Sequence, residues 1–254
     1  MKKYIQIAAN IGCGRGFVSK NISGSIKELI LCDSSNVMLR QAEYPPELKI
    51  KKVITDEENW KLEDNNLDLV ISSLSLHWVN DLPKCFEHIL HSLKSDGVFI
   101  ASIFGGDTLF ELRSSLQLAE LERKQGISAH ISPLTQISDI AFLLNNAGFN
   151  MITIDTDEIV IGYPSIFELL GDLKGMAENN ATINRPLNIN RDILFSAGAI
   201  YNKLYGRECR INATFQIIYF VGWKPSPHVG WKPSPQRGSA NASFTELETI
   251  LEKK

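Results

Sequence analysis

The chain has 254 residues, 44% of them hydrophobic and 22% charged, with 29 acidic against 26 basic side chains and a formal net charge of -3. That is the composition of an ordinary globular protein, long enough for one domain with an elaboration, and its bulk charge argues against a nucleic-acid partner. No apolar run approaches the roughly 20 residues of a membrane-spanning helix. The four cysteines, Cys13, Cys32, Cys85 and Cys209, are too dispersed for a disulfide framework or a zinc site and point to a reducing compartment.

Met1-Lys2-Lys3-Tyr4 runs straight into the apolar stretch Ile5-Gln6-Ile7-Ala8-Ala9, without an Arg-rich presequence, as expected of an abrupt start or an incomplete gene product. The stretch reads as a strand, and it empties into Asn10-Ile11-Gly12-Cys13-Gly14-Arg15-Gly16. Glycines on alternate positions after a strand let the backbone turn tightly and approach a ligand with no side chain in the way. The spacing is Gly-x-Gly-x-Gly, because Phe17 stands where a dinucleotide fingerprint has its last glycine. That favours S-adenosylmethionine, which carries no pyrophosphate.

Strands and helices then alternate, which implies a parallel sheet covered on both faces. A second strand, Glu28 to Cys32, ends at Asp33, where a carboxylate is placed to accept ribose hydroxyls. Ser34 or Ser35 caps the helix that follows, to about Glu43, and Pro45-Pro46 closes it. The third strand, Ile50 to Ile54, ends at Asp56-Glu57, where an acid would meet an adenine amino group or simply be solvated. The fourth, Leu67 to Ser72, is continuous enough to be central. It leads into Ser73-Leu74-Ser75-Leu76-His77-Trp78-Val79-Asn80-Asp81-Leu82-Pro83, at the switch point of such a sheet. His77 is a candidate general base, and Trp78 could wall the cofactor or stack on a cationic substrate; both could equally be structural.

A helix over Leu82 to Leu93, a turn at Lys94 to Gly97 and a fifth strand, Val98 to Phe104, come next. Gly105-Gly106 then permit a hinge or a close approach, and Asp107 reads as a helix cap. Helical periodicity covers Thr108 to Lys124, Ile137 to Ala147, Ser165 to Met176 and Asp192 to Tyr205; Asn150 to Ile161 and Ala213 to Val221 read as strands. Val221 to His228 is then nearly repeated by Val229 to Gln236, a duplication without an evident function, followed by a polar tail with a possible short helix at Thr245 to Leu251. No Cys or third His accompanies His88 and His91, and no His-x-Asp or His-x-Glu pair occurs, so no metal ligands are assigned.

Gly12 to Gly16, Ser72 to Pro83, Phe104 to Arg113, Gly126 to Pro133 and Tyr163 to Met176 together closely resemble the mitochondrial complex I assembly factor 5 family of arginine hydroxylases, over about residues 7 to 224. A more distant resemblance is to the malonyl-carrier-protein O-methyltransferases. The resemblance implies a class I, Rossmann-like methyltransferase fold: a mostly parallel seven-stranded sheet with an antiparallel last strand and a helical lid insertion, about 106–147 and 163–206. It implies S-adenosylmethionine as cofactor and the matrix face of the mitochondrial inner membrane, peripherally bound. It also implies the iron–sulfur subunit 7 of complex I, hydroxylated on an arginine, and other assembly factors as partners.

On this basis residues 1–224 are the methyltransferase-like domain and 225–254 the duplicated loop and tail. The expected cofactor-binding residues are Asn10, Gly12, Cys13, Gly14, Gly16, Asp33, Ser34, Asp56, Glu57 and Ser73, with His77, Trp78 and Asp81 at the substrate mouth. Asn10 stands where the family has an acid; it accepts a hydrogen bond but brings no charge to the methionine ammonium, which predicts weaker cofactor affinity. Absence of the family's helices before the first strand predicts the same. The alternatives are methyl transfer to a protein or carboxylate, and a non-catalytic assembly chaperone.

Overall fold

The computed structural model describes residues 5–22, 26–58, 62–179 and 188–226. The second copy of the duplication, the tail and its expected helix lie outside them, apart from the first copy through Ser226. The elements in chain order are β1 (Ile5–Ile11), β2 (Ile26–Asp33), α1 (Asn36–Gln41), β3 (Lys49–Ile54), β4 (Leu67–Ser73), α2 (Leu82–Ser92) and β5 (Leu93–Phe104). There follow α3 (Phe110–Lys124), α4 (Ile137–Ala147), β6 (Asn150–Tyr163), α5 (Ile166–Gly175), α6 (Arg191–Tyr205), β7 (Gly206–Arg207) and β8 (Arg210–Trp223).

The sheet runs in the order β3-β2-β1-β4-β5-β8-β6, with β7 paired to β8. The first five of these strands are mutually parallel, and β8 lies antiparallel between β5 and β6. This is the Rossmann-like class I methyltransferase sheet, with the two-residue β7 added. One segment departs from expectation. Lys94 to Gly97 is not a free turn but an irregularity inside β5, where pairing with β4 slips between Leu67↔Leu93 and Leu69↔Val98. Asp96 takes a left-handed conformation there, with φ of 61°.

Two hydrophobic cores result. On one sheet face, Phe86 and Ile89 of α2 and Ile140 and Leu144 of α4 pack against Val70, Phe99, Ile218 and Phe220. Residues 137–147 therefore cover the sheet beside α2. The second core joins Leu112, Leu116 and Ala119 of α3, Leu169 and Leu173 of α5, and Ile193, Ala197 and Tyr201 of α6 to Phe215 and Ile217 of β8. β8 thus feeds both: Ile217 enters one core and Ile218, its neighbour on the opposite side of the strand, the other. The remaining sheet face is covered over β1 to β3 by Leu39 and Ala42, which pack on Leu29 and Leu31. Over β5 and β8, among the described residues, Ile100 is 41% and Tyr219 42% exposed.

Candidate functional site

The loops leaving β1, β2, β3 and β4 converge at one sheet edge. After β1 the chain turns through three glycines with φ of 60°, 53° and 84° at Gly12, Gly14 and Gly16, left-handed conformations that cost other residues strain. Gly12 is packed from above: a Cβ there would stand 2.0 Å from Ser75 Oγ and 2.8 Å from Glu57 Oε1. Gly14 is the reverse, for a Cβ there would meet nothing within 4 Å. The loop is therefore braced on one side and open on the other, at a backbone a ligand can approach closely.

Asp33 organises this edge. Its carboxylate accepts the Gly14 N–H at 2.8 Å and the Ser35 N–H at 2.8 Å, tying the end of β2 to the glycine loop. Ser35, not Ser34, caps α1 by accepting the Met38 N–H at 3.4 Å; Ser34 is exposed. Asn10, at the end of β1, is 1% exposed, and neither its Oδ1 nor its Nδ2 has a hydrogen-bond partner among the described residues. A buried amide with both polar atoms unmatched costs stability unless something else meets it. Cys13 is buried against the same edge, its N–H donating to Cys32 O at 3.0 Å. Burial, then the nearby Asp33, pushes its thiol up to about 12, so it stays protonated and unreactive at neutral pH.

The two acids after β3 separate. Asp56 is exposed, and its Oδ1 accepts the Glu58 N–H at 3.2 Å. Glu57 turns inward and accepts the Ser75 hydroxyl at 2.5 Å; burial raises its pKa, the Ser75 bond opposing. After β4, Leu74 adopts φ of 50°, and this sharp turn carries Ser75 toward Glu57. Ser73 accepts the Ser102 hydroxyl at 3.3 Å.

His77 and Trp78 lie in the short 3-10 turn that follows. His77 Nε2 stands 2.7 Å from Glu178 Oε1, and a carboxylate only accepts, so Nε2 carries the proton. Trp78 Nε1 donates to the same oxygen at 3.2 Å. The His77 ring packs edge-on to Phe104, with centroids 4.9 Å apart, and its Nδ1 has no partner among the described residues. Trp78 is 46% exposed. Asp81 is placed differently: it is the N-cap of α2, exposed, accepting the Lys84 N–H at 3.1 Å. Asp107 does not cap α3 with its side chain; it accepts from Gln216 Nε2 at 3.3 Å, and Leu109 takes the cap position.

Glu178, just beyond α5, is a candidate site residue that sequence reasoning missed. It lines a cavity of about 320 Å³ with Leu112, Leu116, Leu173, His130 and Asn179. Among the described residues no group of three His, Cys, Asp or Glu is arranged to hold a metal ion.

The arrangement fits S-adenosylmethionine: an unmatched amide at Asn10, an open backbone at Gly14, and the Asp33 carboxylate bonded to the Gly14 N–H. A model of the methyltransferase domain matches residues 9–101, from the end of β1 into β5. The chain is 46% identical, over 96% of its own length and 76% of the other's, to the arginine-hydroxylase NDUFAF5, mitochondrial, of Danio rerio. Among solved structures, the Bacillus subtilis YcgJ protein superposes with a TM-score of 0.60 at 14% identity, covering 88% of this chain and 94% of that one. A Haemonchus contortus phosphoethanolamine N-methyltransferase 2 with S-adenosyl-L-methionine bound superposes at 0.54 with 19% identity, over 89% of this chain and 50% of that one.

Proposed function

The chain belongs to the family of the mitochondrial arginine hydroxylase NDUFAF5, and from that premise we propose that it hydroxylates an arginine side chain of a protein during assembly of respiratory complex I. The observation that carries this reading is identity of 46% spread over 96% of the chain, which spans the lid and the loop after β4 as well as the glycine loop.

In this reading Gly12, Cys13, Gly14 and Gly16 shape the loop that admits S-adenosylmethionine. Asp33 and Ser34 face its ribose, Asp56 and Glu57 its adenine, Ser73 the floor, and Asn10 its amino-acid end. When bound, the sulfonium would supply an electrophilic methyl group and a positive charge. His77 and Trp78 form the substrate mouth, with Asp81 behind them as the cap of α2 that fixes where their turn ends. Turning a C–H into a C–OH adds one oxygen atom and withdraws two electrons from carbon, so the reaction also consumes an oxygen-donating oxidant, which with dioxygen requires a two-electron reductant and releases the second oxygen atom as water. We place the activity in mitochondria, peripheral to the matrix face of the inner membrane, on the iron–sulfur subunit 7 of complex I alongside other assembly factors. The mitochondrial location carried in the names of these relatives supports the mitochondrial part of this reading.

Mass spectrometry of the iron–sulfur subunit from cells with and without this protein tests the proposal. The expected result is an arginine heavier by one oxygen only when the protein is present. An arginine still hydroxylated in its absence rejects hydroxylation, and a methyl group in place of the oxygen redirects the reading to methyl transfer.

A further inference from the structure

The cavity between α3 and α5 is a second feature of the site, and its chemistry is asymmetric. Its walls are mostly apolar, with Leu112, Leu116, Leu170 and Leu173 on α3 and α5 and Ile189 before α6. Its acidic group is Glu178, whose Oε1 is held by the His77 ring at 2.7 Å and the Trp78 indole at 3.2 Å. Lys174 also lines it but is exposed, where solvent and salt weaken its field. A mostly apolar cavity with one carboxylate in its lining matches a side chain with a long methylene stem and a cationic head. A planar guanidinium suits it best, because its fixed fork of N–H donors can pair with a carboxylate along one edge.

We infer that this cavity receives the substrate's arginine, with its stem along the leucines of α3 and α5 and its guanidinium on Glu178. The inference rests on the proposed arginine reaction and adds the residue that recognises the substrate. Glu178 is then a specificity-determining group, and its bonds to His77 and Trp78 couple occupation of the cavity to the loop that borders the cofactor edge.

Glu178→Gln separates charge from structure. Glutamine keeps an oxygen that can accept from His77 and Trp78, so a purely structural role survives it, whereas a charge-assisted grip on a guanidinium does not. Calorimetric titration of the full chain with N-acetyl-arginine N-methylamide, and with its lysine and citrulline counterparts, reads this directly. The wild-type protein is expected to bind the arginine compound and to discriminate against neutral citrulline. The variant is expected to lose affinity roughly ten- to a hundredfold while keeping its melting temperature and its affinity for S-adenosylmethionine. Undiminished arginine binding by the variant, or equal binding of citrulline by the wild type, overturns the inference and leaves the proposed reaction standing. A wild-type protein that binds none of the three compounds, or prefers lysine, overturns the inference; if its target arginine is also unmodified in cells, the proposed reaction falls with it.

Discussion

The cofactor edge and the lid of this molecule are built by opposite means. At the edge, the architecture rests on backbone conformation within short stretches: three left-handed glycines, and a carboxylate, Asp33, that grips the N–H groups of Gly14 and Ser35. In the lid, it rests on side chains brought from far apart, with α3, α5, α6 and one half of β8 packed into an apolar core. The difference teaches where each region is vulnerable. The edge breaks by strain at single positions, and the lid by loss of volume.

Leu169→Ala is expected to have the largest effect, removing on the order of 2–5 kcal/mol from a fully buried position of the lid. Chemical denaturation measures it. If the two regions are independent, affinity for S-adenosylmethionine at native temperature stays within about twofold. A parallel collapse of cofactor affinity would mean that lid and edge are one cooperative unit. Gly12→Ala tests the edge from the other side, since its Cβ has no room beside Ser75 and its φ is left-handed. The expected cost is about 1–3 kcal/mol, read as lost cofactor binding in calorimetry with the lid still folded. Tyr201→Phe should cost only about 1 kcal/mol, one hydrogen bond to the carbonyl of Asn212, because the ring stays in the core.

Two smaller effects probe charge. Glu57 has its pKa raised by burial, so its ionisation opposes folding: the penalty is absent below the unfolded carboxylate value, grows as pH climbs from there to the raised one, and is constant above it. Glu57→Gln is therefore expected to melt higher than the wild type at pH 8 and equally at pH 4; an unchanged difference between the two pH values would show that Glu57 is not desolvated. The smallest perturbation is chemical. Cys13, Cys32 and Cys85 are buried with thiols pushed up to about 12, whereas Cys209 is exposed. Iodoacetamide on the native protein should label Cys209 first, with the other three following only on unfolding, and early labelling of Cys13 would mean the edge opens readily.

The same contrast decides what could be read without coordinates. The glycine loop and Asp33 were legible because each is a local signal, a strand end followed by a residue type that only one geometry rewards. Asp56 and Glu57 were not separable, since neighbouring acids on a turning chain point in different directions and spacing does not say which turns inward. Asp81 carries a local cap signature, an acid two residues before Pro83, and it is the N-cap of α2. Glu178 was illegible for another reason: it sits 101 residues from His77, in a polar stretch that reads as solvated loop, and only the folding of α5 over the β4 loop brings the two together.

The placement of β8 has a consequence in time. It is the last described strand, yet it closes the gap between β5 and β6 and supplies apolar side chains to both cores. While the chain is being made, β1 to β5 can pair as they emerge, but β6 must wait beside an empty place with its backbone groups unpaired on that side. Neither core is complete until about the 220th residue has cleared the ribosome. A nascent chain halted before β8 would therefore hold the glycine loop without a sealed sheet or a lid, making this segment a natural point for chaperones to hold and for proteases to test.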